Sequence, residues 1–212
     1  MFTRGLYMAH KTFISYKYDE ARSYRDDVID ALGDDGRYYR GETAESPNIS
    51  SLTVDSIKRR LGTMIYGTTV TIVLISPNMK KSSWMEWEIA YSLRNTARKE
   101  KRSSANGLIG VVIPVNGEYS WFIERMQGGD GCSFVSYPHE EEYVFELISR
   151  NRDNRRNLKY VCENCKTMSI LDDSYISYVT LEDFIEKPSF YIDNAYNKSL
   201  VAEEEFELVK RA

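Results

Sequence analysis

Apolar runs alternate with amphipathic stretches along the first half of the chain. Lys11-Thr12-Phe13-Ile14-Ser15-Tyr16 is a short β-rich run. It is followed over residues 19–32 by a charged stretch in which Ala21, Tyr24, Val28, Ala31 and Leu32 recur at three- and four-residue spacing, predicting a helix with one buried stripe. Gly33-Asp34-Asp35-Gly36 supplies the turn chemistry to stop it. Residues 37–48 read as an irregular, exposed loop broken by Gly41 and Pro47, and residues 52–61 as a second helix ending at Gly62. Thr68-Thr69-Val70-Thr71-Ile72-Val73-Leu74-Ile75 is nearly continuous in β-branched residues, as expected of a central strand covered on both faces. Ser76-Pro77-Asn78 breaks it, residues 83–99 form the best helical pattern, and Gly107-Leu108-Ile109-Gly110-Val111-Val112-Ile113-Pro114 gives a further buried strand.

Strands alternating with helices predict an α/β fold, a doubly wound parallel sheet with helices on both faces. Beyond Pro114 the pattern loosens into a Gly128-Gly129-Asp130-Gly131 loop, a helical stretch at 139–148 and an Arg- and Asn-rich link. Short helices are expected at 181–185 and 201–209. The expected organisation is one α/β domain over residues 9–150, with residues 151–212 as a C-terminal helical extension packed on it.

Composition narrows the picture. A 42% hydrophobic and 13% aromatic content is enough for an ordinary packed core. A net charge of −4 lacks the clustered cations that non-specific nucleic-acid binding requires. The local run Arg98-Lys99-Glu100-Lys101-Arg102 is expected as a solvated helix end. Three cysteines, no apolar leader in residues 1–10 and no segment of membrane-spanning length point to a soluble, cytoplasmic protein with no membrane contact.

Ligands in doubly wound folds bind beyond the carboxyl ends of the strands. Two such places are rich in polar and aromatic groups, Ser15 to Asp19 and Ser76 to Glu88. With Ser83 as helix N-cap, Glu86 completes a Ser-x-x-Glu capping box and has a structural purpose. Met85, Ile89 and Leu93 form the sheet-facing stripe, continued by Ala97, and Glu88 borders it one turn from Trp84. From pattern alone Glu88 is either a ligand-contacting acid or a helix-end charge paired with Lys80 or Lys81.

Other signals carry less. Cys162-Glu163-Asn164-Cys165 would need two more ligands to hold zinc, with Cys132 and His139 as the candidates. We expect reduced, partly exposed cysteines and no metal. No Gly-x-x-x-x-Gly-Lys-Ser/Thr or Gly-x-Gly-x-x-Gly motif is present, so no cofactor is expected and a nucleotide would be a substrate. His10 and His139 are the only histidines, which leaves little for a serine or cysteine triad.

Phe13-Ile14-Ser15-Tyr16 resembles the first-strand box of TIR domains, and Trp84-Met85-Glu86-Trp87-Glu88 matches their Trp-x-x-x-Glu pattern. The strand at 69–76, the segment Ser83 to Ile89, and Tyr175-Ile176-Ser177-Tyr178-Val179-Thr180 are similar to the TIR-like branch of bacterial Thoeris anti-phage systems. The resemblance implies a flavodoxin-like, TIR-like fold and cleavage of NAD between nicotinamide and ribose, as an NAD glycohydrolase or ADP-ribosyl cyclase. It implies Glu88 as the catalytic acid, with Ser15, Tyr16, Tyr18, Asp19, Ser83 and Trp84 binding substrate. The expected product is a cyclic or modified ADP-ribose that signals to a separate effector protein, from a chain that forms homo-oligomers in some states. The alternative is a non-catalytic TIR-like module acting by self-association or ligand sensing; a receiver-like domain is weaker, its acidic cluster being reduced to Asp19 and Glu20. Arg37-Tyr38-Tyr39-Arg40-Gly41-Glu42 takes the place of the loop after the second strand in TIR domains and does not align residue by residue.

Overall fold

The computed structural model describes residues 10–39, 53–98, 101–128 and 131–211. In chain order it contains β1 (Thr12–Ser15), α1 (Tyr18–Ala31), α2 (Val54–Tyr66), β2 (Val70–Ile75), α3 (Ser83–Ser92), β3 (Thr96–Arg98), β4 (Lys101–Ser103) and β5 (Gly107–Val112). There follow β6 (Glu124–Gln127), β7 (Ser133–Ser136), α4 (Glu140–Tyr143), α5 (Glu146–Ser149), β8 (Tyr160–Cys162), β9 (Thr167–Met168), β10 (Ile176–Thr180), α6 (Leu181–Glu186), α7 (Pro188–Leu200) and α8 (Ala202–Glu205).

Four strands form a parallel sheet in the order β1-β2-β5-β10. Every residue of β2 and of β5 is buried, because helices cover both faces, and Thr71 is the one polar side chain among them. One face packs Ala21 and Val28 of α1, Phe184 of α6, and Ile192 and Ala195 of α7. The other packs Met85, Ile89 and Leu93 of the α3 region with Leu147 and Ile148 of α5, while Ile57, Leu61 and Ile65 of α2 close over Phe13. This is the expected doubly wound α/β arrangement.

The C-terminal part departs from expectation. Residues 151–212 are not a helical appendage: β10 is the sheet's fourth strand, paired with β5 from Ile176↔Leu108 to Thr180↔Val112. The long helix α7, begun by Pro188 at its first turn, lies so close to β5 that a Cβ on Gly107 would stand 2.0 Å from the Ala195 carbonyl oxygen. The expected helix at 201–209 is one turn, α8, after which Phe206 bridges to Arg155. The 139–148 helix is two single turns, α4 and α5, separated at Val144-Phe145.

Helix boundaries also shift. α1 ends as expected, with Gly33 in the left-handed region at φ +53. α2 passes through a buried Gly62 and stops at Tyr66. α3 ends at Ser92, so Ala97 and Arg98 lie not on a helix but in the antiparallel β3–β4 pair; Lys99 and Glu100 lie outside the described residues. The loop expected at 37–48 begins as a 3-10 turn, Gly33–Tyr38, and its part from Arg40 onward, Gly41, Glu42 and Pro47 included, lies outside the described residues, as do Leu52, Gly129 and Asp130. Among the described residues no helix is long and apolar enough to cross a membrane.

Candidate functional site

At the carboxyl end of β1 the chain turns sharply into α1. Ser15 is the last strand residue and is fully buried. Tyr16 and Lys17 make the turn, and Tyr18 opens the helix with 56% of its surface exposed. Arg25 lies beneath this turn at 1% exposure, donating to the Tyr16 hydroxyl at 3.1 Å with its guanidinium carbon 5.2 Å from the ring centre.

After β2, a 3-10 turn, Met79–Lys81, delivers the chain to Ser82 in extended conformation. Ser82, not Ser83, is the N-cap: its hydroxyl oxygen accepts from the Met85 N–H at 3.4 Å. That single-residue shift puts Glu86 in the fourth helical position, exposed, and withdraws the capping-box account of it. Glu88 sits one turn past Trp84 as expected, and it is 8% exposed.

The Ser15 hydroxyl donates to Glu88 Oε2 at 2.6 Å, joining residues 73 positions apart. A charged acceptor and a hydroxyl donor at this distance make a strong bond. Beneath Glu88 the helix is tied to the sheet by a buried chain of hydroxyls. Ser92 Oγ donates to the Glu88 carbonyl at 2.8 Å and lies 2.9 Å from Thr71 Oγ1, to which Asn106 Nδ2 donates at 3.1 Å.

Glu88, Tyr16, Tyr18, Trp84 and Ser82 line one cavity of about 170 Å³, closed at the back by Phe13, Ile14, Ile57 and Leu61. One carboxylate edge therefore faces an otherwise largely apolar and aromatic chamber. Ligand pockets for drug-sized molecules usually run to roughly 300–1,000 Å³, so this chamber is smaller than a site that would enclose a whole drug-sized ligand. Trp84 is shared with a second, larger cleft of about 580 Å³, where Lys58, Arg94 and Arg211 supply cations and Trp87 a flat wall.

The structure thus gathers Ser15, Tyr16, Tyr18, Trp84 and Glu88. It does not gather the other two expected residues. Asp19 points outward, 83% exposed, to Lys17 at 3.3 Å, because its position in the first turn of α1 faces away from the strand end. Ser83 opens on the larger cleft with Glu86, one helical position past the cap. The partner once open to Glu88 in Lys80 is elsewhere: Lys80 Nζ donates to the Glu141 carbonyl at 2.8 Å.

Two contributors escaped sequence reasoning. Ser82 caps the helix and lines the cavity, and the Ser82-Ser83 doublet was the available signal. Glu20 accepts from the Asn78 N–H at 3.1 Å and so joins the turns after β1 and β2. Burial pushes the Glu20 carboxyl up, but hydrogen bonds from Ser76 and Asn78 and the charge of Lys17 outweigh it and hold the group below its ordinary value. His10 is structural, its Nε2 lying 3.0 Å from Asp193 and its ring against Tyr196.

Residues 13–118 match the family model described as Thoeris protein ThsB, TIR-like domain, and that span is half of the chain. The chain belongs to this family. As a ThsB TIR-like protein it is a component of anti-phage defence, and both the β1 end and Glu88 fall inside the matched residues. The strand β10 and helices α6 and α7 fall outside the matched ThsB TIR-like residues, although they complete the sheet.

Proposed function

We propose that this ThsB TIR-like protein cleaves NAD between nicotinamide and ribose, with Glu88 as the catalytic carboxylate, and forms a cyclic or modified ADP-ribose read by a separate effector. The observation that carries the proposal is the buried Glu88 carboxylate, held by Ser15 at 2.6 Å on the wall of a chamber lined by Tyr16, Tyr18 and Trp84. Family membership supports the same chemistry.

The reaction suits one acid. Nicotinamide leaves from a cationic pyridinium, so it needs no proton from a general acid, in contrast to ordinary glycosides. What the transition state needs is a negative charge beside the developing sugar cation, fixed in a water-poor site. Glu88 supplies the charge and Ser15 fixes its rotamer. Tyr16 and Trp84 offer faces for the nicotinamide ring, while the diphosphate and adenosine extend past Trp84 toward Lys58 and Arg94 in the larger cleft. Asp19 has no role in this arrangement.

The test is nicotinamide release from NAD, followed by chromatography with mass spectrometry of the nucleotide product, using purified protein, concentrated protein and extracts of phage-infected cells. Glu88→Gln should lower turnover at least about a hundredfold, the scale of losing one preorganised electrostatic contact, with the circular dichroism spectrum unchanged. Absence of release in all three preparations would leave the alternative, a TIR-like module working by self-association.

A further inference from the structure

Away from the Glu88 chamber, two antiparallel pairs stand off the central sheet, β6 with β7 and β8 with β9. Their strands are mostly exposed or half-buried, and Val161 is 73% exposed. A two-stranded hairpin is marginal by itself in water, so such a subassembly needs a staple of another kind. Where the two pairs meet lie all three cysteines of the chain.

The sequence shows a Cys-x-x-Cys pair short of two ligands, with Cys132 and His139 as the candidates and no metal expected. The fold brings Cys132 to the pair and leaves His139 outside the cluster. Cys132, beside the start of β7, and Cys162 and Cys165, on the β8–β9 turn, bring their Sγ atoms within 4.8 Å of one another. Cys132 and Cys162, 30 residues apart, have their sulfurs at 3.3 Å without a disulfide. The turn is built for this: Lys166 takes a left-handed φ of +54 directly after Cys165, and the β8–β9 register slips between Tyr160 and Cys162, turning both sulfurs to one side. Thr167 Oγ1 lies 2.8 Å from the Cys165 sulfur, in place to donate to a thiolate.

We infer that Cys132, Cys162 and Cys165 form a thiolate site for a soft divalent cation, zinc above all, which pins the β6–β7 pair to the β8–β9 pair. Zinc–sulfur bonds of about 2.3 Å in a tetrahedron place ligand sulfurs about 3.8 Å apart, within the spread seen here. Three sulfur donors select zinc over magnesium or calcium, which take oxygen. The fourth position belongs to water or a small exogenous ligand, since His139 is 61% exposed and pairs with Glu142 at 3.4 Å. Binding displaces any thiol protons to solvent and changes no oxidation state. The Thr167 hydroxyl is the supporting group that orients Cys165.

The full-length protein, purified under reducing conditions, should carry about one zinc per chain by elemental analysis. After chelation, added Co²⁺ should produce thiolate-to-cobalt charge-transfer absorption that Zn²⁺ abolishes. Cys132→Ser, Cys162→Ser and Cys165→Ser should each weaken zinc binding at least about tenfold. Should any of these variants fail to fold, the wild-type cobalt spectrum decides alone. No metal uptake by the reduced wild-type protein would overturn the site, and so would a cobalt spectrum unaltered in Cys132→Ser. A Cys132–Cys162 disulfide in protein extracted from cells with its thiols blocked, found by peptide mass spectrometry, would do so as well.

Discussion

The Ser15–Glu88 bond makes a prediction that requires no turnover to test. Ser15 is fully buried, so water can reach the vacated hydroxyl position only by way of the Glu88 chamber. Ser15→Ala leaves a buried carboxylate short of a donor at 2.6 Å. Losing a hydrogen bond to a charged group costs about 1.5–3 kcal/mol. In a chain of this size each kilocalorie lowers the melting temperature by roughly 2–4 °C, so the fall should lie between about 3 and 12 °C.

The sign reverses when both partners go. Phe13, Ile14, Ile57 and Leu61 surround the same chamber, and Met has nearly the length of Glu. Ser15→Ala with Glu88→Met replaces the pair by apolar groups, a change that is nearly neutral or stabilising when the shape is kept. Urea denaturation of the four proteins in the cycle at neutral pH should give a coupling energy of about 1.5–3 kcal/mol. Additivity within about 0.5 kcal/mol would refute the bond. A double variant at least as stable as wild type, and without NAD turnover, would mean that the pair is kept for chemistry at some cost in stability.

Two further expectations concern the C-terminal half. In Gly107→Ala the new Cβ meets the Ala195 carbonyl oxygen at 2.0 Å and its carbon at 2.3 Å, both backbone atoms, so thermal unfolding should show a loss above the usual 1–3 kcal/mol or so of core overpacking; a loss below about 1 kcal/mol would contradict the packing of α7 on β5. Lys198 donates to the Leu171 and Ser174 carbonyls and to Ser177 Oγ at 2.6–3.0 Å, and burial, with Asp172 opposing and Arg152 and Arg155 reinforcing, pushes its ammonium down to about 7. Above pH 7 the unfolded chain then holds the proton that the folded chain has released, so stability should rise with pH between about 7 and 10.5, by at most about 1.4 kcal/mol per pH unit. Urea titrations from pH 7 to 9 should show that slope in wild type and not in Lys198→Met; equal slopes would refute it.

What the sequence disclosed follows the range of the forces involved. Val70–Ile75 was legible because a strand buried on both faces selects apolar and β-branched side chains, Thr71 being the one polar residue and satisfied by Ser92 and Asn106. The pairing of Glu88 with Trp84 was legible because helical spacing is fixed. The N-cap was missed by one residue because Ser82 and Ser83 are chemically identical there, and only the preceding 3-10 turn decides between them. β10 was missed because Ser177 and Thr180 interrupt its apolar pattern, and Ser177 is satisfied by long-range partners such as Lys198. α7 shows Ile192, Ala195 and Lys198 as its buried residues, a weak stripe that suffices only because Gly107 lets the helix approach closely. The convergence of Cys132 on Cys162 and Cys165 depends on two hairpins meeting in space, which no local pattern records.

The family match ends at residue 118, yet the position of Glu88 depends on residues well beyond it. Ser92 holds the Glu88 carbonyl, Thr71 meets Ser92, and Asn106 ties Thr71 to the start of β5. Asn106 is in turn fixed from the far end of the chain, its carbonyl accepting from the Tyr175 hydroxyl at 2.7 Å. Burial of that phenol pushes its pKa well up and keeps it a donor at every physiological pH. Tyr175 immediately precedes β10, whose five pairings cover the edge of β5 that would otherwise stand open. An uncovered, wholly apolar strand such as β5 invites pairing with other chains. Residues 176–200 are thus as much a part of the site's support as the strand that carries Ser15, and a boundary drawn at residue 150 would cut through the sheet on which Glu88 is placed.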